Sequence, residues 1–281
     1  MKTVHFVRHG ETEQNKDGIW QGHTNTKLSK TGKAQAKLLS KRINLKNQTV
    51  FTSDLARAKE TAYFLSDSPN VRENLREINV GDFTGKSVKE TYSNNLDIFD
   101  ALQYDTYVFP NGESVQEFKL RVQQEVDHIF DSIDEDSECV VVTHGFFIGT
   151  AIGLVLGFNQ YPYPIGNIQN TSISTVIKRD SVMQVNKFND AIHLPNSYID
   201  YPAKDKSRIL TFIRHGQTDS NTQGVWQGHV DNPLNTYGVE TAKQLKGKFS
   251  NYDLYLSSSF KRALETLSLI HISEPTRLAE I

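Results

Sequence analysis

The stretch Val4-His5-Phe6-Val7-Arg8-His9-Gly10-Glu11-Thr12 decides how this chain is read. A short apolar run, suited to a buried strand, ends in a cation, an imidazole and a glycine. Parallel strands in α/β proteins deliver such carboxyl-end side chains into the crevice where ligands bind. Arg8 offers a planar fork of donors matched to phosphate oxygens, and His9 a nucleophile near neutral pH. Gly10 is expected to let the backbone turn sharply and approach a ligand closely. Taken alone, Arg8-His9-Gly10 reads sooner as a strand end with a solvated cation and a capping histidine. The rest of the chain has to decide.

Strand and helix signals alternate beyond it. After a polar, glycine-punctuated loop over residues 15–22, Ser29 is placed to cap a helix reaching about Arg42, with Ala34, Leu38 and Leu39 on one face. Thr49-Val50-Phe51 reads as a second strand, and Thr52-Ser53-Asp54 as the cap of a helix turning Leu55, Ala58, Ala62 and Leu65 inward. Arg57 then sits in that helix's first turn, against the positive dipole end. The conflict is worth about a few tenths of a kcal/mol, and a bound anion would remove it. Residues 70–79 carry Arg72, Arg76 and Glu77, ahead of a turn-rich loop over 81–85.

Residues 86–109 are weakly helical and aromatic, with Tyr92, Phe99, Tyr104, Tyr107 and Phe109. Pro110-Asn111-Gly112-Glu113-Ser114 breaks this pattern and opens a long amphipathic helix through Val115, Phe118, Val122, Val126, Ile129 and Ile133. Residues 139–143 form a fully apolar strand that again ends in histidine and glycine, His144-Gly145, with an apolar helix following to about Leu156. Residues 173–177 and 182–188 read as closing strands. The alternation predicts an α/β sandwich around a mostly parallel sheet.

Bulk properties narrow the function classes. The chain has 281 residues and a formal net charge of −2, so no global basic field points to nucleic acid or an anionic membrane surface. Its single cysteine, Cys139, fits a buried thiol in a reducing compartment. No apolar run approaches bilayer-spanning length, and a soluble, cytoplasmic product is expected.

After a linker expected over residues 191–207, the chain begins again. Ile209-Leu210-Thr211-Phe212-Ile213-Arg214-His215-Gly216-Gln217-Thr218 repeats the opening stretch. Asn221, Gly224, Trp226, Gln227, Gly228, Leu234 and Gly238 repeat Asn15, Gly18, Trp20, Gln21, Gly22, Leu28 and Gly32 at the same offset. Ser258, Arg262 and Thr266 match Ser53, Arg57 and Thr61 with a slip of one residue. The period is a whole domain.

Five blocks in this order resemble the histidine phosphatase superfamily, with its phosphoglycerate mutase-like fold. They are Arg8-His9-Gly10-Glu11-Thr12 with Asn15, then Ser53-Asp54-Leu55-Ala56-Arg57-Ala58, Leu75-Arg76-Glu77 with Gly81 and Gly85, Gly112-Glu113-Ser114, and Thr143-His144-Gly145. The resemblance covers residues 1–190 in full and 208–266 in part. It implies a three-layer α/β/α sandwich with a mostly parallel central sheet. It also implies that His9 attacks phosphorus and becomes a phosphohistidine, while Arg8, Arg57 and His144 clamp the phosphoryl oxygens. Glu77 would then be the general acid and base. Asn15, Gln21, Gly22 and Gly145 are expected on the substrate side. Three cations around Glu77 are expected to keep it ionised until the substrate's phosphate offsets their charge.

The resemblance favours the phosphatase branch acting on a small-molecule phosphomonoester, with a phosphoglycerate mutase as the alternative and a non-catalytic phospholigand-binding module as the third reading. Glu77 is followed by Ile78-Asn79-Val80-Gly81, where the mutase branch usually carries Arg-His-Tyr-Gly. Residues 86–109 hold two basic side chains, few for a substrate with a second phosphate. No His-Glu-x-x-His, aspartate pair or Cys-x-x-Cys occurs, and a phosphohistidine route needs no metal, so none is expected. The sequence leaves the oligomeric state open. The second copy stops before any counterpart of Glu77 or His144, so it is expected to complete neither a site nor a sheet, its strands left with unpaired edges. Residues 267–281 depart from the first copy's text, look like translated adapter sequence, and are expected to be a non-native tail.

Overall fold

The computed structural model describes residues 1–43, 48–94, 107–158, 167–195, 210–246, 254–270 and 279–280. The chain divides into two compact units, Met1–Ser197 and Tyr198–Ile281.

The first unit is built on six strands: β1 (Lys2–Arg8), β2 (Thr49–Ser53), β3 (Asn70–Arg72), β4 (Glu138–Thr143), β5 (Ile173–Arg179) and β6 (Val182–Asp190). They lie in the order β3-β2-β4-β1-β5-β6. The first four run parallel, while β5 pairs antiparallel with β1 and β6 antiparallel with β5. Between the strands come α1 (Glu13–Lys16), α2 (Lys30–Arg42), α3 (Ala56–Ala62), α4 (Val88–Asn94), α5 (Val115–Ser132) and α6 (Gly145–Val155).

Strand alternation sorts the core into two layers. Val4, Phe6, Phe51, Cys139, Val141 and Val176 pack with α5 and α6, around Phe118, Val122, Ile129, Phe147 and Ile148. Val7, Val50, Val140, Val142 and Ile173 face the other way, onto Leu39 of α2 and Ala58 and Ala62 of α3. Helices on both faces of a mostly parallel sheet make the three-layer α/β/α sandwich. Burial pushes the Cys139 thiol up to about 12, which leaves it an inert core residue.

Several local expectations are corrected. Residues 13–16 form a single helical turn, because Thr12 and Asn15 cap it reciprocally. Ala36, not Ala34, joins Gly32 and Leu39 on the buried face of α2. Thr52 and Ser53 belong to β2, and α3 starts after Leu55 with no side-chain cap; Ser53 Oγ instead accepts from the Leu55 N–H at 3.3 Å. A short edge strand, β3, precedes Glu77. Ser114 caps α5 in a box with Glu117. Residues 191–195 stay with the first unit, where Ala191 is buried and His193 Nε2 meets Thr171 Oγ1 at 3.1 Å. Residues 196–207 of the expected linker, and Phe99 and Tyr104 of the aromatic stretch, lie outside the described residues.

In the second unit α7 (Asp219–Thr222), α8 (Thr236–Lys243) and α9 (Lys261–Ile270) repeat α1, α2 and α3, α9 being the longer. Residues 210–213, the counterpart of β1, form no strand. β7 (Leu256–Ser257) pairs in parallel with β8 (Ala279–Glu280). Among the described residues no helix is long and apolar enough to cross a membrane.

Candidate active site

Parallel pairing fixes where the chemistry gathers. Arg8, the last residue of β1, lies in register with Thr143, the last of β4, so His9 and His144 leave the sheet side by side. Their ring centroids stand 5.2 Å apart. β2 ends beside them and feeds α3, which delivers Arg57.

His9 is buried, and its Nδ1 donates to the Gly10 carbonyl at 2.7 Å. That bond puts the neutral ring's proton on Nδ1 and leaves the lone pair on Nε2. Burial, then the charges of Arg57 and Arg8, push His9 well below its ordinary pKa, so it stays neutral and nucleophilic at neutral pH. Gly10 has no positive φ; a Cβ there would lie 2.6 Å from the Gly32 carbonyl oxygen, so the glycine is required by close packing on α2 and not by a sharp turn. The Gly10 N–H donates to Thr61 Oγ1 at 2.9 Å, and that hydroxyl donates to the Arg57 carbonyl at 2.7 Å.

Arg57 is only 1% exposed, and among the described residues it has no carboxylate in an ion pair. Its two terminal nitrogens donate to the carbonyls of Thr24 and Gly22, each at 2.8 Å. Burial draws its pKa down to about 10, still a cation at neutral pH. Gly22 sits at φ +47°, and a Cβ there would come within 2.9 Å of Val80 Cγ2. Its carbonyl holds Arg57. Gln21 is buried and accepts from Thr12 Oγ1 at 3.0 Å. Asn15 Oδ1 takes the Thr12 N–H at 3.2 Å and the Asn170 amide at 3.3 Å, which orients the Asn15 side chain.

Arg8 donates to the Ile168 carbonyl. A Cβ on Gly145 would lie 3.4 Å from Arg8 Nε, so the guanidinium packs directly on the Gly145 backbone. His144, wholly buried, holds Ser53 Oγ at 2.9 Å through Nε2 and leaves Nδ1 with no hydrogen-bond partner. Burial and the neighbouring Arg57, His9 and Arg8 push its pKa well down. It is therefore neutral, and the site carries two cations where the sequence suggested three.

Glu77 completes the group. Its carboxylate accepts from the N–H groups of Phe146 at 3.2 Å and Phe147 at 3.3 Å, in the first turn of α6, and from Ile78 at 3.2 Å. These bonds, with Arg57 and Arg8, favour the anion, yet burial outweighs them and its pKa is raised. Desolvation thus works against the cations expected to hold this carboxylate ionised. The Glu77 carbonyl is fixed by His23 Nε2 at 2.8 Å and Arg121 Nη2 at 3.3 Å, and Arg121 is itself paired with Glu113 at 2.8 Å. Sequence reading missed Ser53, Thr61, Asn170 and Arg121 as supports, because each acts through a contact distant in sequence. Among the described residues, no group of three histidine, cysteine, aspartate or glutamate side chains is placed to hold a metal ion.

The sequence profile of the histidine phosphatase superfamily (branch 1) matches residues 4–191 and again 210–280. The chain belongs to this superfamily. This phosphatase is 28% identical over 213 residues to a probable phosphoglycerate mutase of Enterobacter sp. (strain 638), spanning 73% of the chain and 99% of that protein. It is 30% identical over 199 residues to a metal-independent phosphoserine phosphatase of Arabidopsis thaliana, spanning 67% and 82%. A solved Entamoeba histolytica phosphoserine phosphatase variant bound to phosphoserine superposes with a TM-score of 0.64 at 27% identity, covering 69% of this chain and all of that one. The family and these relatives make the chain a histidine-type phosphatase, a phosphoric monoester hydrolase.

Proposed function

We propose that residues 1–190 hydrolyse a small phosphomonoester by double displacement at His9. The observation that carries this is the Nδ1-to-Gly10 bond: it aims a neutral, unprotonated Nε2 away from the backbone, among Arg8, Arg57 and His144. The Nε2 lone pair attacks phosphorus as the phosphorus–oxygen bond to the alcohol breaks. Arg8 and Arg57 balance the charge on the equatorial oxygens, and His144 Nδ1, otherwise without a partner, turns its proton to one of them. Asn15 adds a neutral donor, with Gln21 and Gly145 on the substrate side.

Glu77 hands its proton to the departing alkoxide and then takes one from the water that attacks the phosphohistidine. Its raised pKa supports the first half of this role. No step calls for a metal. The unpaired, buried Cys139 supports a cytoplasmic setting, and the net charge of −2 supports a small substrate over nucleic acid or a membrane.

The test is a panel of phosphomonoesters that includes phosphoserine and 3-phosphoglycerate, read as free phosphate. Release from at least one alkyl phosphate, lost in His9→Ala, supports the reading. Isomerisation of 3-phosphoglycerate with a bisphosphorylated primer and little free phosphate replaces it with the mutase reading, which the Enterobacter relative favours. Binding without a labelled His9 replaces it with a phospholigand module.

A further inference from the structure

The turn entering β5 holds one residue in a conformation its side chain disfavours. Thr171, fully buried, sits at φ +60°, in the left-handed region that a β-branched residue rarely adopts. The turn closes on the end of β1. The Thr171 N–H donates to the Arg8 carbonyl at 2.9 Å, and the Arg8 N–H to the Ser172 carbonyl at 3.3 Å. Asn170 Nδ2 donates to the His9 carbonyl at 2.9 Å and reaches Asn15 Oδ1 at 3.3 Å. Residues 170–172 thus grip the backbone from which the His9 ring departs. Strain of this kind persists only where the surroundings over-determine it.

A strut behind the turn supplies that constraint. His193 Nε2 lies 3.1 Å from Thr171 Oγ1, and His193 Nδ1 lies 3.2 Å from Arg42 Nη1. A guanidinium only donates, so Nδ1 accepts and Nε2 carries the proton, which goes to the threonine hydroxyl. Arg42, the last residue of α2, is paired in turn with the Asp190 carboxylate at the end of β6. Burial and the charge of Arg42 push the His193 pKa down to about 4, so the ring is neutral at neutral pH. We infer that His193 is a positioning residue for the nucleophile: it holds Thr171 at positive φ, and the turn so held fixes Arg8, His9 and Asn15. Without it Thr171 relaxes to negative φ, and its N–H and the Asn170 amide swing off the two carbonyls. The effect on turnover rests on the hydrolysis proposed at His9, whereas the hold on Thr171 does not.

Glycine adopts positive φ at no steric cost and so needs no strut, which provides the test. Three full-length chains are compared: wild type, His193→Ala, and His193→Ala combined with Thr171→Gly. Phosphate release from a phosphomonoester of the panel above gives kcat. Hydrogen exchange followed by NMR gives the protection of the amide at position 171. His193→Ala should lower kcat about tenfold and speed that exchange by about tenfold or more. Adding Thr171→Gly should bring both back to within about threefold of wild type. A histidine that merely fills space is not rescued by removing a second side chain. Unchanged kcat and exchange in His193→Ala overturn the inference, and so does a loss that Thr171→Gly leaves in place. Exchange that follows the expected pattern in a chain releasing no phosphate retains the strut and overturns the His9 reading instead.

Discussion

The two copies of the opening stretch carry nearly the same letters and meet different fates. Phe6 is fully buried in β1, whereas its counterpart Phe212 is 92% exposed in a segment with no strand pairing; Trp20 is packed in the core, and Trp226 is 97% exposed. Yet the capping boxes at Thr12 and Thr218, the imidazole bonds at His9 and His215, and the carbonyl cradles of Arg57 and Arg262 repeat. The half of the site around His9 and Arg57 is thus local, closed within about sixty residues by turns, caps and backbone carbonyls. The strand beneath it is not. β1 lies between β4 and β5, both from the distant half of the first unit, and the same half supplies His144 and the helix turn that holds Glu77.

The largest expected effect breaks the catalytic side of this comparison. His9→Ala should abolish turnover of an alkyl phosphomonoester, a fall on the order of 10⁴-fold or more in kcat, because no other nucleophile reaches the phosphorus. Steady-state phosphate release measures it. Turnover that survives on His215 alone would show that the distant half is dispensable.

Glu77→Gln tests what that distant half adds. Loss of the acid should cost about 10²–10⁴-fold with an alkyl phosphate, and much less with a nitrophenyl phosphate whose leaving group needs no proton. The pH profile carries the same information with a definite sign. Glu77 must be protonated for the first step, so kcat/KM should fall as pH rises through its pKa, and the raised value moves that limb upward from the ordinary carboxylate range. His9, with its pKa pushed well down, is neutral at neutral pH and sets no alkaline limb. The alkaline limb should vanish in Glu77→Gln.

These sites were unequally legible in the sequence. His9, Arg57 and the cap at Ser29 follow from strand ends and helix starts, which are local patterns. Ser53 reads locally as a cap residue, and its bond to His144 across ninety-one positions is visible only once β2 and β4 are neighbours. Asn170, which holds the His9 carbonyl at 2.9 Å, has no local signature at all. The upward shift of the Glu77 pKa eluded charge counting because desolvation, which a sequence does not display, exceeds the pull of two arginines and the N–H donors around it.

The packing side of the comparison is sharpened by paired truncations. Phe6→Ala removes a fully buried ring from the core shared with α5 and α6 and should cost about 3–5 kcal/mol. Phe212→Ala should change stability by less than about 0.5 kcal/mol, as an exposed substitution does. Urea unfolding, followed by loss of phosphatase activity for the first and by hydrogen exchange in α8 and α9 for the second, measures each. A large effect at Phe212 would mean that the second copy has a packed strand after all.

The smallest expected difference lies in the threonines that tie each glycine to its arginine helix. Thr61 and Thr266 make the same pair of bonds, 2.9 Å from the glycine N–H and 2.7 Å to the arginine carbonyl. Valine at either place keeps the volume and deletes both bonds. At Thr61 the Gly10 N–H would be stranded in a buried site, a cost of about 1–3 kcal/mol. The Gly216 N–H is only partly buried, so water can take over from Thr266 and the cost should fall below about 1 kcal/mol. Equal losses in the two valine variants would mean that the second copy encloses its half-site as tightly as the first. The larger loss at Thr61 locates the difference in burial, since the bonds themselves match.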